Sequence, residues 1–106
     1  MKREVAVGAA EGLAQGQRKL VFIDGRSVVV FNVAGKLHAI ENSCPHNGAS
    51  LANGNLDGSL LTCPAHGLRF DLSTGCMPGA GFGQLCLDVL PVRTVDGQLM
   101  IEVEQA

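Results

Sequence analysis

Residues 44–71 read CPHNGASLANGNLDGSLLTCPAHGLRFD and contain two short motifs on which the interpretation of the chain depends. The first motif is Cys44-Pro45-His46 and the second is Cys63-Pro64-Ala65-His66. Each motif offers one thiolate and one imidazole, and each has a proline directly after its cysteine. Because proline fixes φ and removes a backbone donor, both ligand loops are stiffened. Gly48 and Gly67 follow the histidines, where we expect each loop to turn back around a buried ion with no Cβ in the way.

The spacing of these four residues discriminates between kinds of metal site. A structural zinc site also uses two cysteines and two histidines, but it usually keeps like ligands together. Here each loop is mixed, which suits a binuclear iron–sulfur centre in which one residue of each pair reaches one iron and its partner reaches the other. A zinc-stabilised binding module stays open as the alternative.

The segments on either side of the motifs have the pattern of antiparallel strands. Asp24-Gly25, Ala34-Gly35, Asp57-Gly58 and Asp96-Gly97 are typical of tight hairpin turns, which need positive φ at both central residues. Residues 12–17 are expected to form a loop or one helical turn. We predict an all-β antiparallel sandwich or barrel whose strands are Glu4–Val7, Arg18–Asp24, Ser27–Val33, Lys36–Glu41, Leu60–Cys63, Leu85–Thr94 and Gln98–Glu104.

Length and composition exclude several classes of protein. The chain has 106 residues, 46% of them apolar and 17% charged, which fits a single folded domain. Eight Lys and Arg against ten Asp and Glu give a net charge of −2, which argues against a nucleic-acid-binding protein. No apolar run is long enough to span a membrane, and no secretory signal is visible, so we expect a cytoplasmic protein.

The two motifs resemble the Rieske [2Fe–2S] signature, in which two histidines replace two cysteines on one iron. The runs 44–51 and 63–71 are similar to Rieske ferredoxins and to the Rieske domains of ring-hydroxylating oxygenases. Thr74-Gly75 and Met77-Pro78-Gly79 resemble the third, proline-containing loop that covers the cluster in this family. The resemblance implies one domain over residues 1–106, with a loop-built cluster-binding subdomain at about 42–83 inserted between strands. It also implies that Cys44 and Cys63 hold the inner iron, and that His46 and His66 hold the outer iron near the surface.

The resemblance further implies a one-electron carrier rather than an enzyme. A terminal oxygenase needs a second iron on two histidines and a carboxylate, and only one of the three histidines is left for it. The chain resembles the ferredoxin component of aromatic-ring dioxygenases, which carries electrons from a flavin-dependent NAD(P)H reductase to a terminal oxygenase. Docking is expected at His46 and His66, with Pro45, Ala65, Leu68 and Pro78 around them, on a monomer. The alternative is the Rieske-type small subunit of an assimilatory nitrite reductase.

Two cysteines and one histidine are not among the four ligands implied by the resemblance. Cys76 and Cys86 are expected to be small apolar residues with unbonded thiols, although a disulfide between them is conceivable. His38 alternates with Leu37 and Ala39 in a predicted strand, so we expect it to be solvent-facing or partly packed.

Histidine ligation raises the potential of such a centre. Two ferric ions, two sulfides and two thiolates sum to zero charge, whereas four thiolates give a dianion that accepts an electron at greater cost. Rieske centres therefore span about −150 to +300 mV, against roughly −400 mV for plant-type clusters. High-potential members carry a further disulfide, whose positions match Ala49 and Ala65 here, and hydroxyl donors at the positions of Leu68 and Phe70.

We therefore predict a potential at the low end of the Rieske range. Donors to sulfur stabilise the more negative reduced state, so Leu68→Ser combined with Phe70→Tyr should raise the potential. Protein-film voltammetry of the two proteins measures the difference, and an unchanged potential would contradict the argument from hydroxyl donors.

Overall fold

The computed structural model describes residues 2–44, 48, 50–64, 67–78 and 85–104, apart from the side chain of Glu104. These residues form ten strands and one short 3-10 helix, Ala10–Gly12. In chain order the strands are β1 (Lys2–Ala9), β2 (Arg18–Ile23), β3 (Arg26–Val33), β4 (Lys36–Glu41), β5 (Asn55–Asp57), β6 (Leu60–Thr62), β7 (Arg69–Asp71), β8 (Val89–Leu90), β9 (Val92–Val95) and β10 (Gln98–Glu104).

The strands form three antiparallel sheets, which confirms the predicted all-β class. Their strand orders are β1-β10-β9, β2-β3-β4-β8 and β5-β6-β7. The last and smallest sheet lies wholly within the segment that the sequence marks as loop-built.

Within the four-stranded sheet, β3 is buried on both faces along Val28–Phe31, which is why this run is continuously apolar with no alternation. Val28 and Val30 face the three-stranded sheet of β1, β9 and β10, where they pack with Leu99 and Ile101 in one hydrophobic core. The opposite face packs against the segment that carries both motifs. We call this second set the loop-side core; its buried residues are Val29, Phe31, Ile40, Cys44, Leu51, Leu61, Cys63, Phe70, Leu72 and Leu87.

Three of the four predicted turns are confirmed by their backbone angles. Asp24-Gly25, Ala34-Gly35 and Asp96-Gly97 have positive φ at both residues, with values of 51° and 81°, 52° and 86°, and 50° and 78°. These are the angles of a two-residue type I′ hairpin. The prediction at Asp57-Gly58 is wrong by one position. Asp57 pairs with Leu60, so the turn residues are Gly58 and Ser59.

The predicted strand Leu85–Thr94 is divided at Pro91, which has no N–H to donate. The preceding piece, β8, pairs with β4, and the following piece, β9, pairs with β10. The chain therefore passes from one sheet to another at the proline. The sequence also failed to predict β5 and β7, since each has a single apolar residue among three.

No helix within the described ranges is long and apolar enough to cross a membrane.

Arg18 joins the four-stranded sheet to the segment that follows the first motif. Its Nη1 donates hydrogen bonds to the carbonyl oxygens of Ala52 and Gly54, at 3.0 and 2.6 Å. Its guanidinium carbon lies 5.0 Å from the centre of the Phe31 ring, on the sheet face that carries the loop-side core. A cation over an aromatic face is attracted by the ring quadrupole. One side chain thus links β2, β3 and the loop after the first motif.

Arg18→Met should keep the apolar stem and lose both hydrogen bonds. Bonds from a charged donor contribute about 1.5–3 kcal/mol, so we expect the free energy of unfolding to fall by roughly 2 kcal/mol because Arg18 is only partly buried. Chemical denaturation followed by circular dichroism measures it, with the exposed Lys36→Met as the matched control. Equal stability of the two variants would mean that the link contributes nothing.

Candidate metal centre

Cys44 and Cys63 come together in the loop-side core, although they lie in different loops. Cys44 follows β4 and Cys63 follows β6; their exposed fractions are 1% and 0%. Neither takes part in a disulfide. A thiolate in apolar surroundings is costly unless a cation lies beside it, so a metal centre is the chemistry that fits two such cysteines.

The two loops begin with the same turn. The N–H of Gly48 donates to the carbonyl oxygen of Cys44 at 2.7 Å, and the N–H of Gly67 donates to that of Cys63 at 2.9 Å. The two glycines have φ values of +76° and +74°. These are the glycines that the sequence singled out. Among the described residues, an added Cβ meets nothing within 4 Å at Gly67 and only the Ser43 hydroxyl, at 3.9 Å, at Gly48, and the positive φ by itself favours glycine at both positions.

The histidine half of the predicted centre lies outside the described residues. This applies to His46 and His66, to their neighbours Pro45, Ala49 and Ala65, and to the glycine-rich run 79–83. Among the residues that are described, no group of three or more His, Cys, Asp or Glu side chains is placed to hold a metal. The ligand set therefore stays a prediction from the sequence.

Asn42 closes the first loop, a role that no local pattern in the sequence indicates. Its side-chain oxygen accepts a hydrogen bond from the N–H of Leu51 at 2.6 Å, and its amide nitrogen donates to the Ser50 hydroxyl at 3.0 Å. The same nitrogen donates to the Ser27 hydroxyl on β3 at 3.2 Å. Both ends of the segment around Cys44 are thereby fixed to the central sheet.

Asp71 organises the turn that follows the second motif. Its Oδ1 accepts hydrogen bonds from the hydroxyl and the N–H of Ser73, at 2.6 and 2.9 Å, and from the Ser59 hydroxyl at 3.0 Å. These bonds, those from Ser73 above all, lower the pKa of the Asp71 carboxyl below its usual value. The carboxylate is therefore ionised at neutral pH and holds the turn that leads to Cys76.

His38 is partly buried on β4 opposite Phe31, which confirms the prediction that it is partly packed. Burial, and then the positive charge of Lys36, lower the pKa of His38 below its usual value, while the Asp71 carboxylate opposes this shift. The side chain is thus biased towards its neutral form.

The expectation for Cys76 and Cys86 is wrong. They form a disulfide, and Cys86 is exposed rather than buried. The two residues face each other as an antiparallel pair, a long-range register that spacing alone does not reveal. The rule that disulfides are rare in reducing compartments pointed the other way.

Phe70 and Leu68, at which high-potential relatives carry hydroxyl donors, lie in or against the core that contains Cys44 and Cys63. Phe70 is fully buried in this loop-side core, to which both cysteines also belong, and Leu68 is partly buried against it. The N–H of Cys63 donates to the carbonyl oxygen of Leu68 at 2.7 Å. Of the expected docking residues, Leu68 is thus half-covered and Pro78 is exposed.

Comparison with known proteins agrees with this geometry. Residues 3–83 match the family model described as the Rieske [2Fe-2S] domain. Ferredoxin CarAc of Metapseudomonas resinovorans is 32% identical over 100 residues, which covers 93% of this chain and 92% of that protein. Because relatives of this kind are ferredoxins, they confirm the prediction of an electron-transfer component that is not itself an enzyme.

Solved structures give the same result. The complex of reduced oxygenase and oxidised ferredoxin in carbazole 1,9a-dioxygenase contains a chain 32% identical to this one, with a TM-score of 0.81 over 92% of this chain and 91% of that one. The ferredoxin of carbazole 1,9a-dioxygenase from Nocardioides aromaticivorans IC177 is 28% identical, with a TM-score of 0.79 over 92% and 95% of the two chains. On the family match, the identity and the shared fold together, this chain belongs to the Rieske [2Fe–2S] domain family.

Proposed function

We propose that this chain carries single electrons from a flavin-dependent NAD(P)H reductase to a terminal oxygenase. It does so with one Rieske [2Fe–2S] cluster, bound by Cys44, His46, Cys63 and His66. The observation that carries the proposal is the burial of both cysteines in one apolar core, each at the start of the same glycine-closed turn. The chain is then a single domain whose cluster-binding part is about 42–83.

The residues fit the centre chemically. When bound, the cluster supplies a site that gains and loses one electron. Cys44 and Cys63 would bind the inner iron on its water-free side, because both lie in the loop-side core. The matched turns hold the two cysteines in fixed orientation, so the protein rearranges little when the charge changes. His46 and His66 would then lie on the side from which the electron passes to a partner protein.

The expected partners follow from the relatives. Ferredoxin components of dioxygenase systems, including one seen in complex with its oxygenase, favour an oxygenase acceptor over a nitrite reductase assembly. The exposed Pro78 and the half-covered Leu68 would lie on the docking face around His46 and His66. A small interface of this kind suits a carrier that must dissociate after each transfer. We place the carrier in the cytoplasm as a monomer, without nucleic-acid or membrane partners.

Replacement of one proposed ligand tests the cluster assignment. His66→Gln should lose the visible absorption and most of the iron, because the outer iron loses half of its protein ligands. His38→Gln is the matched control, since His38 is partly buried on β4 and is not a proposed ligand. Iron, zinc and sulfide are counted on the same samples, and the reduced proteins are examined by EPR.

The proposal requires two irons per chain in the parent and in His38→Gln, with a reduced-state signal at lower average g than an all-cysteine ferredoxin gives. A colourless parent protein that holds one zinc would replace it with a structural zinc module. Full iron content and an unchanged EPR signal in His66→Gln would remove His66 from the ligand set.

The matched turns can be tested separately. Ala at Gly67 or Gly48 must adopt positive φ, which costs roughly 1–2 kcal/mol for a residue with a Cβ. We expect each variant to lose about this much free energy of unfolding. Gly12→Ala is the control, because Gly12 is exposed, has no positive φ, and a Cβ there meets nothing within 4 Å. Denaturant titration compares the three, and equal stabilities would show that the turns are not strained by a Cβ.

A further inference from the structure

The disulfide between Cys76 and Cys86 lies at the base of the segment 77–85. The two residues form an antiparallel pair with Cα atoms 3.9 Å apart. On one side the N–H of Met77 donates to the carbonyl oxygen of Leu85 at 3.0 Å, and on the other the N–H of Leu87 donates to that of Gly75 at 2.6 Å. The disulfide therefore sits between two hydrogen bonds that hold the same pair of strands in register.

The two sulfur-bearing residues differ in their access to solvent. Cys86 is exposed, whereas Cys76 is partly buried. We therefore take Cys86, the more exposed residue, as the one that an incoming thiolate attacks, with the Cys76 sulfur as the leaving group. Access of this kind is one of the properties that distinguish labile disulfides from structural ones.

The disulfide closes a short loop. The cysteines are separated by 10 residues in sequence. A cross-link stabilises a fold mainly by restricting the unfolded chain, and the stabilisation grows only slowly with the length of the loop. In the folded chain, the constraint acts on the segment between the cysteines.

This segment is connected to the core that holds Cys44 and Cys63. Met77 and Leu85, the residues just inside the disulfide, both pack against the loop-side core, and Leu87 belongs to it. The disulfide thus lies next to apolar side chains that pack against the core to which Cys44 and Cys63 belong.

We propose that Cys76–Cys86 is a reversible thiol-exchange site that takes a dithiol reductant. A thiolate of the reductant bonds to Sγ of Cys86 as the Cys76–Cys86 bond breaks, and the released Cys76 thiolate takes a proton from water. The second thiol of the reductant then displaces Cys86. Two electrons and two protons pass to the chain, and the reductant leaves as its own disulfide.

Opening this site changes the surroundings of the loop-side core. Met77 and Leu85 pack against the loop-side core and are joined by a backbone hydrogen bond, so loss of the adjacent cross-link loosens this covering and gives water more access to the core. Water favours the more highly charged state, which for two thiolates and two neutral imidazoles is the reduced one. The potential should therefore rise when the disulfide opens; this step rests on the proposed function, whereas the thiol exchange does not.

Alkylation of the folded holoprotein tests the exchange. The protein is treated anaerobically with dithiothreitol, then with iodoacetamide, and the labels are located by peptide mass spectrometry. We expect two labels, at Cys76 and Cys86, with the visible absorption of the protein retained. Labels at these positions only after denaturant is added would overturn the proposal. Because the labels are counted at Cys76 and Cys86, this result stands even if the protein holds no iron–sulfur centre.

Voltammetry of the same samples tests the coupling to the cluster. The alkylated protein should have a higher potential than the untreated one. The control combines Cys76→Ser with Cys86→Ser; its potential should already be high and should not respond to dithiothreitol. If the opened, untreated and double-variant proteins share one potential, the coupling to the cluster is wrong.

Discussion

The structure depends on the burial of two cysteines between the central sheet and a segment that cannot build a core by itself. The strands β5, β6 and β7 have three residues each, and their sheet presents few apolar side chains. The segment is therefore stabilised by packing onto a face of the four-stranded sheet, through the loop-side core. Cys44 and Cys63 belong to that contact, so the metal proposed to bind them would cross-link the segment to the sheet. Binding of this metal and folding of the segment would then reinforce each other.

Apolar packing brings the loops to the sheet but does not set their orientation. Three polar residues around this contact do so. Arg18 bonds to backbone carbonyls after the first loop, Asn42 closes the first loop onto β3, and Asp71 fixes the turn after the second. All three act on backbone atoms, whose directions are fixed, so they set the position of the loops rather than only their proximity. Arg18 and Asn42 thereby tie the segment of the first proposed ligand loop to the four-stranded sheet, and Asp71 holds the turn after the second loop.

The sequence predicted the parts of the molecule that are encoded locally. Asp24-Gly25 and Asp96-Gly97 specify their hairpins by backbone preference, and Lys36–Glu41 and Gln98–Glu104 form strands at the predicted bounds. The two Cys/His motifs also indicated the family, since ligand chemistry restricts residue type and spacing. What failed depends on distant partners: β7 has one apolar residue and is a strand because β6 lies beside it. The pairing of Cys76 with Cys86, and the reach of Arg18 to Gly54, likewise follow from tertiary register that no local pattern contains.

The low potential expected for this chain has a structural basis beyond the two apolar residues at positions 68 and 70. A hydroxyl has one proton to donate. Ser59 and Ser73 both donate theirs to the Asp71 carboxylate, and Thr74 donates to the Asp71 carbonyl oxygen. The hydroxyls of Ser59, Ser73 and Thr74 are thus engaged by one acidic residue. Phe70 and Leu72 are buried in the same core as the two cysteines, so a reduced centre bound there would gain charge in apolar surroundings. Asp71 shapes the turn towards the disulfide with its carboxylate and its carbonyl oxygen, which together accept the protons of three hydroxyls.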